Sequence, residues 1–81
     1  MKRSSIKFIF DSLWQDVDNA CFNLNEGLFN DSTSMLQYKE LALTCIDFLK
    51  HYNLKNSVQF RYELQYFIYL LEKEGLIIYE W

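Results

Sequence analysis

One histidine, two cysteines and a few closely spaced carboxylates are the residues of this 81-residue chain that could support catalysis. His51 follows Asp47 by four residues, a spacing at which a helix brings the carboxylate to the imidazole and favours the imidazolium. Covalent catalysis would also need a nucleophile beside that base, and the sequence offers no hydroxyl or thiol with a second catalytic partner. We therefore expect His51 and Asp47 to form a solvated ion pair on a polar helix face.

The remaining candidates for catalysis or metal binding are weaker. Asp16 and Asp18 are about 200° apart around a helix, so they cannot share one substrate atom. Metal binding needs several converging ligands, and one histidine with two distant cysteines does not supply them. We predict no catalytic residue, no metal and no cofactor, and we expect that the protein is not an enzyme.

The cysteines and the apolar stretches bear on the cellular compartment. Cys21 and Cys45 fall at apolar positions of predicted helices, and in antiparallel neighbours they would be offset by roughly 10 Å, beyond disulfide reach. We expect two reduced core thiols in a cytoplasmic protein. We expect no export signal, because Lys7 and Asp11 interrupt the apolar stretch after the basic N-terminus. The apolar run at residues 66–71 is too short to span a membrane.

Hydrophobic spacing predicts the elements that must position these residues. Of all residues 51% are apolar, and the chain has no proline and two glycines, which favours long uninterrupted helices. Apolar residues recur every three or four positions in three segments, the period of one helix face. The predicted helices run from about Ser5 to about Asn25, from Met35 to Tyr52 and from Ser57 to Glu74.

Each predicted helix carries one apolar stripe, and we expect the stripes to meet in one core. An alternative for the first segment makes residues 6–10 a strand and begins the helix at Asp11 or Ser12, where Ser12-x-x-Gln15 would be a capping box. The core residues predicted from the stripes are Ile6, Phe10, Leu13, Val17, Leu24, Tyr38, Leu41, Cys45, Leu49, Phe60, Leu64, Phe67 and Leu71.

Short polar motifs predict where the helices begin and end. Ser34-x-x-Gln37 is a capping box for the second helix, and Asn56-x-x-Gln59 is a capping signal for the third. Glycine is the preferred residue just after a helix C-terminus, and the two glycines of the chain follow the first and third helices at Gly27 and Gly75.

The C-terminal residues 76–81 read Leu-Ile-Ile-Tyr-Glu-Trp and are apolar and β-prone. A lone strand has no partner in a helical domain, so we expect this tail to dock on the bundle, to pair with residues 6–10 or to add to another chain's sheet. The predicted fold is a single all-α domain over residues 1–81, a three-helix bundle with a short apolar tail.

Charge is distributed unevenly along this chain of formal net charge −3. Residues 8–38 carry five acids and no Lys or Arg. Two phenylalanines fall among the acids of the first helix, on the side predicted to be exposed, and solubility alone does not require them there. We predict that the face of the first helix opposite its core stripe, together with Asp31 of the following loop, binds a basic protein. Six residues fall opposite the core stripe on a helical wheel: Phe8, Asp11, Gln15, Asp18, Phe22 and Glu26.

The third helix is apolar on two sides, because Val58, Tyr62, Tyr66 and Tyr69 lie opposite its core stripe. Either the C-terminal tail covers these residues, or they form a recognition strip, for which large and rigid amphipathic rings are suited. We predict the strip and place the three tyrosines among the partner-binding residues.

These features predict a small, acidic, non-catalytic inhibitor that occupies the basic surface of a nucleic-acid-handling protein. Immunity proteins against toxic nucleases, antitoxins and phage-encoded inhibitors share this size and charge, which is an analogy without a matching motif. We expect no direct contact with nucleic acid and none with a membrane.

Two other classes of function are alternatives to the inhibitor. One is a winged-helix-like DNA-binding regulator, because residues 71–77 look like a helix-into-wing junction and cations surround the turn before the third helix. Against it, that helix presents tyrosines rather than Arg, Lys or Asn to a groove. The other is a homodimeric adaptor module that uses the tyrosine face for self-association.

Overall fold

In this computed structural model, which describes residues 3–28, 32–52, 54 and 57–78, the chain forms three helices. They are α1 (Arg3–Asn25), α2 (Ser32–His51) and α3 (Val58–Lys73). The prediction of an all-α, three-helix fold is confirmed, and no strand occurs within the ranges just given. Residues 6–10 belong to α1, so the alternative strand with its capping box at Ser12 is wrong. The helical period of the apolar residues continues through this segment without a break.

Side-chain contacts show that α1 and α2 are antiparallel. The ring of Phe10, early in α1, lies 6.2 Å from the ring of Phe48, late in α2. At the other end, Asn23 Nδ2 donates to the hydroxyl of Tyr38 at 3.3 Å. The connection between the two helices therefore reverses the chain direction.

The third helix runs in the same direction as α1 and packs against both other helices. Phe10 meets Phe60 near the start of α3, with ring centroids 5.2 Å apart, whereas Asn25 at the end of α1 meets Tyr66 further along α3. The result is an up-down-up bundle in which the outer surfaces of α1 and α3 are neighbours.

The apolar stripes meet in one buried core, as predicted. Of the predicted core residues, Ile6, Leu13, Tyr38 and Leu41 are only partly buried and line the edge of the core. Additional buried residues, which a single stripe per helix does not include, widen the contact faces. The core consists of Phe10, Val17, Ala20, Cys21, Leu24, Ala42, Cys45, Ile46, Phe48, Leu49, Phe60, Leu64, Phe67, Ile68, Leu70, Leu71 and Ile78.

The beginnings of α2 and α3 differ from the prediction. Because α2 begins at Ser32, Ser34 lies inside its first turn and is not the N-cap. The N-cap of α3 is Ser57, and predicted Asn56 lies outside the described residues. The hydroxyl of Ser57 does not cap the helix but donates to the carbonyl oxygen of Leu54 at 2.9 Å, so the preceding turn uses it.

Both predicted glycine stops are confirmed. Gly27 has φ +71° and Gly75 has φ +92°, values that side chains with a Cβ rarely adopt. At the end of α1, the N–H of Leu28 donates to the carbonyl of Asn23 at 2.8 Å, which is the long hydrogen bond of a Schellman motif. The same motif ends α3, where the N–H of Leu76 donates to the carbonyl of Leu71 at 2.9 Å.

The described part of the C-terminal tail docks on the bundle. Ile78 is buried in the core and Leu76 packs against it, whereas Ile77 is exposed between them. Residues 76–78 are not a strand, and residues 79–81 lie outside the described part of the chain. Because Leu76 and Ile78 pack on the bundle, the tail buries these apolar side chains without pairing as a strand.

Candidate partner-binding surfaces

The face of α1 opposite the core is exposed along its whole predicted length. Phe8 and Phe22 have 72% and 60% of their surface exposed, values unusual for phenylalanine in a helix with a buried side available. The four polar residues predicted for this face are exposed as well. We call this surface the acidic α1 face, and it consists of Phe8, Asp11, Gln15, Asp18, Phe22 and Glu26.

Negative charge on the acidic α1 face is not uniform. The ammonium of Lys7 lies 3.2 Å from a carboxylate oxygen of Asp11, and both side chains are largely exposed. Asp18 and Glu26 form no ion pair with any residue that the structure describes, and Asp31 lies outside the described residues. The uncompensated acids therefore flank Phe22 rather than Phe8. The i, i+4 spacing of Lys7 and Asp11 is a sufficient signal in the sequence for this pair.

The two cysteines are free and buried, as predicted. Burial raises the pKa of the Cys21 thiol to about 11, and the nearby carboxylate of Asp18 adds to the shift. Burial likewise raises the pKa of Cys45 to about 12, with a further contribution from Asp16. Both thiols are protonated at neutral pH, and a protonated thiol is a poor nucleophile.

A second exposed surface runs along α3. Tyr62, Tyr66 and Tyr69 are 68%, 45% and 54% exposed, and Val58 before them is also exposed. We call these four residues the tyrosine strip. The described tail residues pack on the core and leave the strip open to solvent, so residues 76–78 do not cover it.

The rings of the tyrosine strip are held by neighbouring groups. The hydroxyl of Tyr66 donates to Asn25 Oδ1 at 3.2 Å. The Tyr66 and Tyr69 rings are nearly parallel, with centroids 6.5 Å apart. The ammonium of Lys73 lies 5.6 Å from the Tyr69 centroid, within cation–π range. These contacts give part of the strip a defined shape before any partner binds.

One contact places the two surfaces beside each other. Asn25, which binds Tyr66, follows Phe22 by three residues and so lies one helical turn further along α1. Trp14 Nε1 also donates to the carboxylate of Glu63 between the same two helices. Neither contact is predictable from the sequence, because the partners are more than forty residues apart in the chain.

The predicted contact between His51 and Asp47 is present in α2, and both side chains lie in solvent. His51 Nδ1 is 3.4 Å from a carboxylate oxygen of Asp47 and 2.9 Å from its backbone carbonyl oxygen. An open groove between α1 and α2 adjoins the two side chains. The groove is otherwise lined by Ile9, Leu13, Thr44, Phe48 and Tyr52.

Metal sites, membrane spans and relatives add no further candidate. No group of three or more His, Cys, Asp or Glu in the described ranges could hold a metal ion. Within the same ranges, no helix combines the length and hydropathy needed to cross a bilayer. Comparison with protein-family models, curated proteins and solved structures gave no match. The acidic α1 face and the tyrosine strip are therefore the candidate functional surfaces of the described residues.

Proposed function

We propose that the protein is a small non-catalytic inhibitor that binds a basic, nucleic-acid-handling protein through the acidic α1 face. The observation that carries the proposal is the exposure of Phe8 and Phe22 within an acidic surface. Acids alone would keep the face soluble, and exposed phenylalanines weaken that effect. Aromatic side chains surrounded by polar residues are typical of the buried centre of an interface.

The arrangement around Phe22 suits a cationic side chain of the partner. Asp18 and Glu26 stand one turn before and one turn after this ring, and neither pairs with a described cation. An Arg or Lys of the partner can lie over the ring and bind either carboxylate, which combines a cation–π contact with an ion pair. Phe22 is therefore the proposed centre of the binding site.

Charge and aromatic burial have separate roles in this proposal. Carboxylates on a protein surface attract a basic partner over distances of about a Debye length and speed association. Desolvated aromatic rings act after contact and slow dissociation. Because the partner uses its basic surface to bind phosphates, occupying that surface excludes nucleic acid.

Immunity proteins of toxic nucleases, antitoxins and phage-encoded inhibitors are the functional classes that this mechanism fits. The free, buried thiols of Cys21 and Cys45 suit a reducing compartment, and we place the protein in the cytoplasm. The protein needs no cofactor and no metal for this role, since exclusion requires only occupancy.

Affinity capture from host cells tests the proposal when three forms of the chain are compared. The wild type is set beside Asp18→Lys/Glu26→Lys and beside Glu40→Lys/Glu74→Lys, which makes the same charge change at exposed acids elsewhere. We expect the wild type and the Glu40/Glu74 variant to retain the same basic protein, and the Asp18/Glu26 variant to lose it. Adding the wild-type chain in equimolar amount should then block nucleic-acid binding or cleavage by that protein.

Two results would contradict the proposal. A captured protein that keeps its full nucleic-acid activity in the complex would show that the surface is not occluded. Salt-dependent retention of the isolated chain on duplex DNA would support the winged-helix-like regulator instead.

A further inference from the structure

The exposed residues of α3 between positions 58 and 69 carry no charge, in contrast to the acidic α1 face. A basic partner gains no electrostatic attraction from such a surface. A second copy of this chain, with the same net charge of −3, is repelled by acidic surfaces but not by this one. The charge pattern therefore favours a second copy here. The uncharged residues are Val58, Gln59, Tyr62, Gln65, Tyr66 and Tyr69.

Two charged residues beside the tyrosine strip are complementary under two-fold symmetry. Arg61 and Glu72 are eleven residues, or about three turns, apart and so lie along the same edge of α3. If α3 packs antiparallel to its symmetry mate about an axis near Tyr66, Arg61 of one copy lies opposite Glu72 of the other, and the pair occurs twice. The Arg61 guanidinium donates to the Ser57 hydroxyl at 3.5 Å, and within the described ranges neither Arg61 nor Glu72 forms an ion pair.

Part of the strip is already ordered in the single chain. Tyr66 is hydrogen bonded to Asn25, and Tyr69 lies between the Tyr66 ring and the ammonium of Lys73. Side chains that are fixed before association lose less conformational entropy when they are buried. The contacts of Tyr66 and Tyr69 within one chain therefore increase the affinity of the tyrosine strip for a second copy.

We propose that α3 pairs with α3 of a second copy in an antiparallel, two-fold symmetric homodimer. The tyrosine strips form its centre, and two Arg61–Glu72 ion pairs flank them. Aromatic side chains bury about 150–250 Å² each, so three half-exposed rings supply roughly 300 Å² per copy, less than the roughly 800 Å² of a standard interface. The dimer is correspondingly weak, with a dissociation constant on the order of tens of micromolar. This inference is independent of the inhibitor function.

Sedimentation velocity of the full chain, from about 5 to about 500 µM, tests the dimer across the range that its expected affinity requires. We expect the wild type to shift from monomer to dimer over this range. Tyr62→Ala/Tyr69→Ala should raise the dissociation constant at least about tenfold. The control Leu36→Ala removes an exposed apolar side chain from α2, which belongs to neither surface, and should leave the dissociation constant unchanged. Thermal unfolding of each variant verifies folding, and the single variant Tyr62→Ala serves if the double variant unfolds.

Charge exchange tests the antiparallel geometry directly. Arg61→Glu and Glu72→Arg should each weaken the dimer, because each places like charges across the two-fold axis, and the combined variant should restore it. A chain that stays monomeric throughout the range overturns the proposal, as does a dimer unaffected by the tyrosine substitutions or by charge exchange. If the chain is monomeric and Tyr62→Ala/Tyr69→Ala instead weakens capture of a basic protein, the occupant is that protein and the homodimer is wrong.

Discussion

Leu64 and Tyr62 are two residues apart in α3 but have opposite environments, because Leu64 is fully buried and Tyr62 is largely exposed. Leu64→Ala removes buried methyl groups and leaves a cavity, so it should lower the free energy of unfolding by about 2–5 kcal/mol. Tyr62→Ala should change it by about 0.5 kcal/mol or less. Equilibrium urea unfolding measures both, and equal losses would show that the tyrosine strip belongs to the core.

The buried thiols predict how stability depends on alkaline pH. The pKa of Cys45 is raised from 9.0 to about 12 in the folded chain, and that of Cys21 from 9.0 to about 11. Above pH 9 the unfolded state releases thiol protons that the folded state retains, so the free energy of unfolding should fall as pH rises from about 9 to about 11. Urea unfolding across that range measures the slope. The control Cys21→Ala/Cys45→Ala should show a shallower slope, and an unchanged slope would contradict the assignment.

At the level of single residues, the sequence predicted which side chains are exposed better than it predicted which side chains contact each other. The helical period places Phe8 and Phe22 opposite the core, and both are exposed. The contact of Asn25 with Tyr66 depends on how α1 packs against α3. No local pattern encodes that contact, because it joins two separate helices.

The ends of the helices provide a test at the level of the element. Gly27 adopts φ +71°, and an added Cβ there would meet no atom within 4 Å. Gly27→Ala should therefore destabilise the fold through backbone strain alone, by roughly 1–2 kcal/mol. The control Asn19→Ala, at an exposed position inside α1, should be neutral or slightly stabilising because alanine is the better helix former. Thermal unfolding compares the two, and an equal response would mean that the glycine does not end the helix.

The helices themselves were predictable, but their beginnings were not. Repeated apolar residues specify which side of each helix is buried, and glycine at positive φ specifies where α1 and α3 end. Ser34 resembles an N-cap but lies inside α2, and the Ser57 hydroxyl binds Leu54 instead of capping α3. Serine can bond to either the helix or the turn before it, so sequence alone does not decide between these roles.

At the scale of the whole molecule, two neighbouring helices present surfaces of different character. The acidic α1 face combines uncompensated acids with exposed phenylalanines, whereas the tyrosine strip of α3 is uncharged. The acids that attract a partner at long range are thus concentrated on α1, whereas exposed aromatic side chains occur on both helices. A monomer could offer both surfaces to one partner, whereas the proposed dimer would use the strip for itself and leave binding of the basic protein to α1.

Salt dependence of association measures how the acidic α1 face contributes to binding of the captured basic protein. Asp18→Lys/Glu26→Lys should slow association roughly tenfold or more at low ionic strength and far less near 1 M salt, where the Debye length is about 3 Å. Asp11→Lys should have a smaller effect per charge, because Lys7 already compensates this acid.

Phe22→Ala separates short-range burial from this attraction. It should leave the association rate nearly unchanged and raise the dissociation rate, since a buried aromatic anchor acts only after contact. Stopped-flow association and dissociation rates at several salt concentrations resolve the two effects. If charge reversal and Phe22→Ala alter the same rate constant, the division between charge and aromatic contact is wrong. If salt influences neither the association rate nor the dissociation rate, the acids of α1 do not attract the partner.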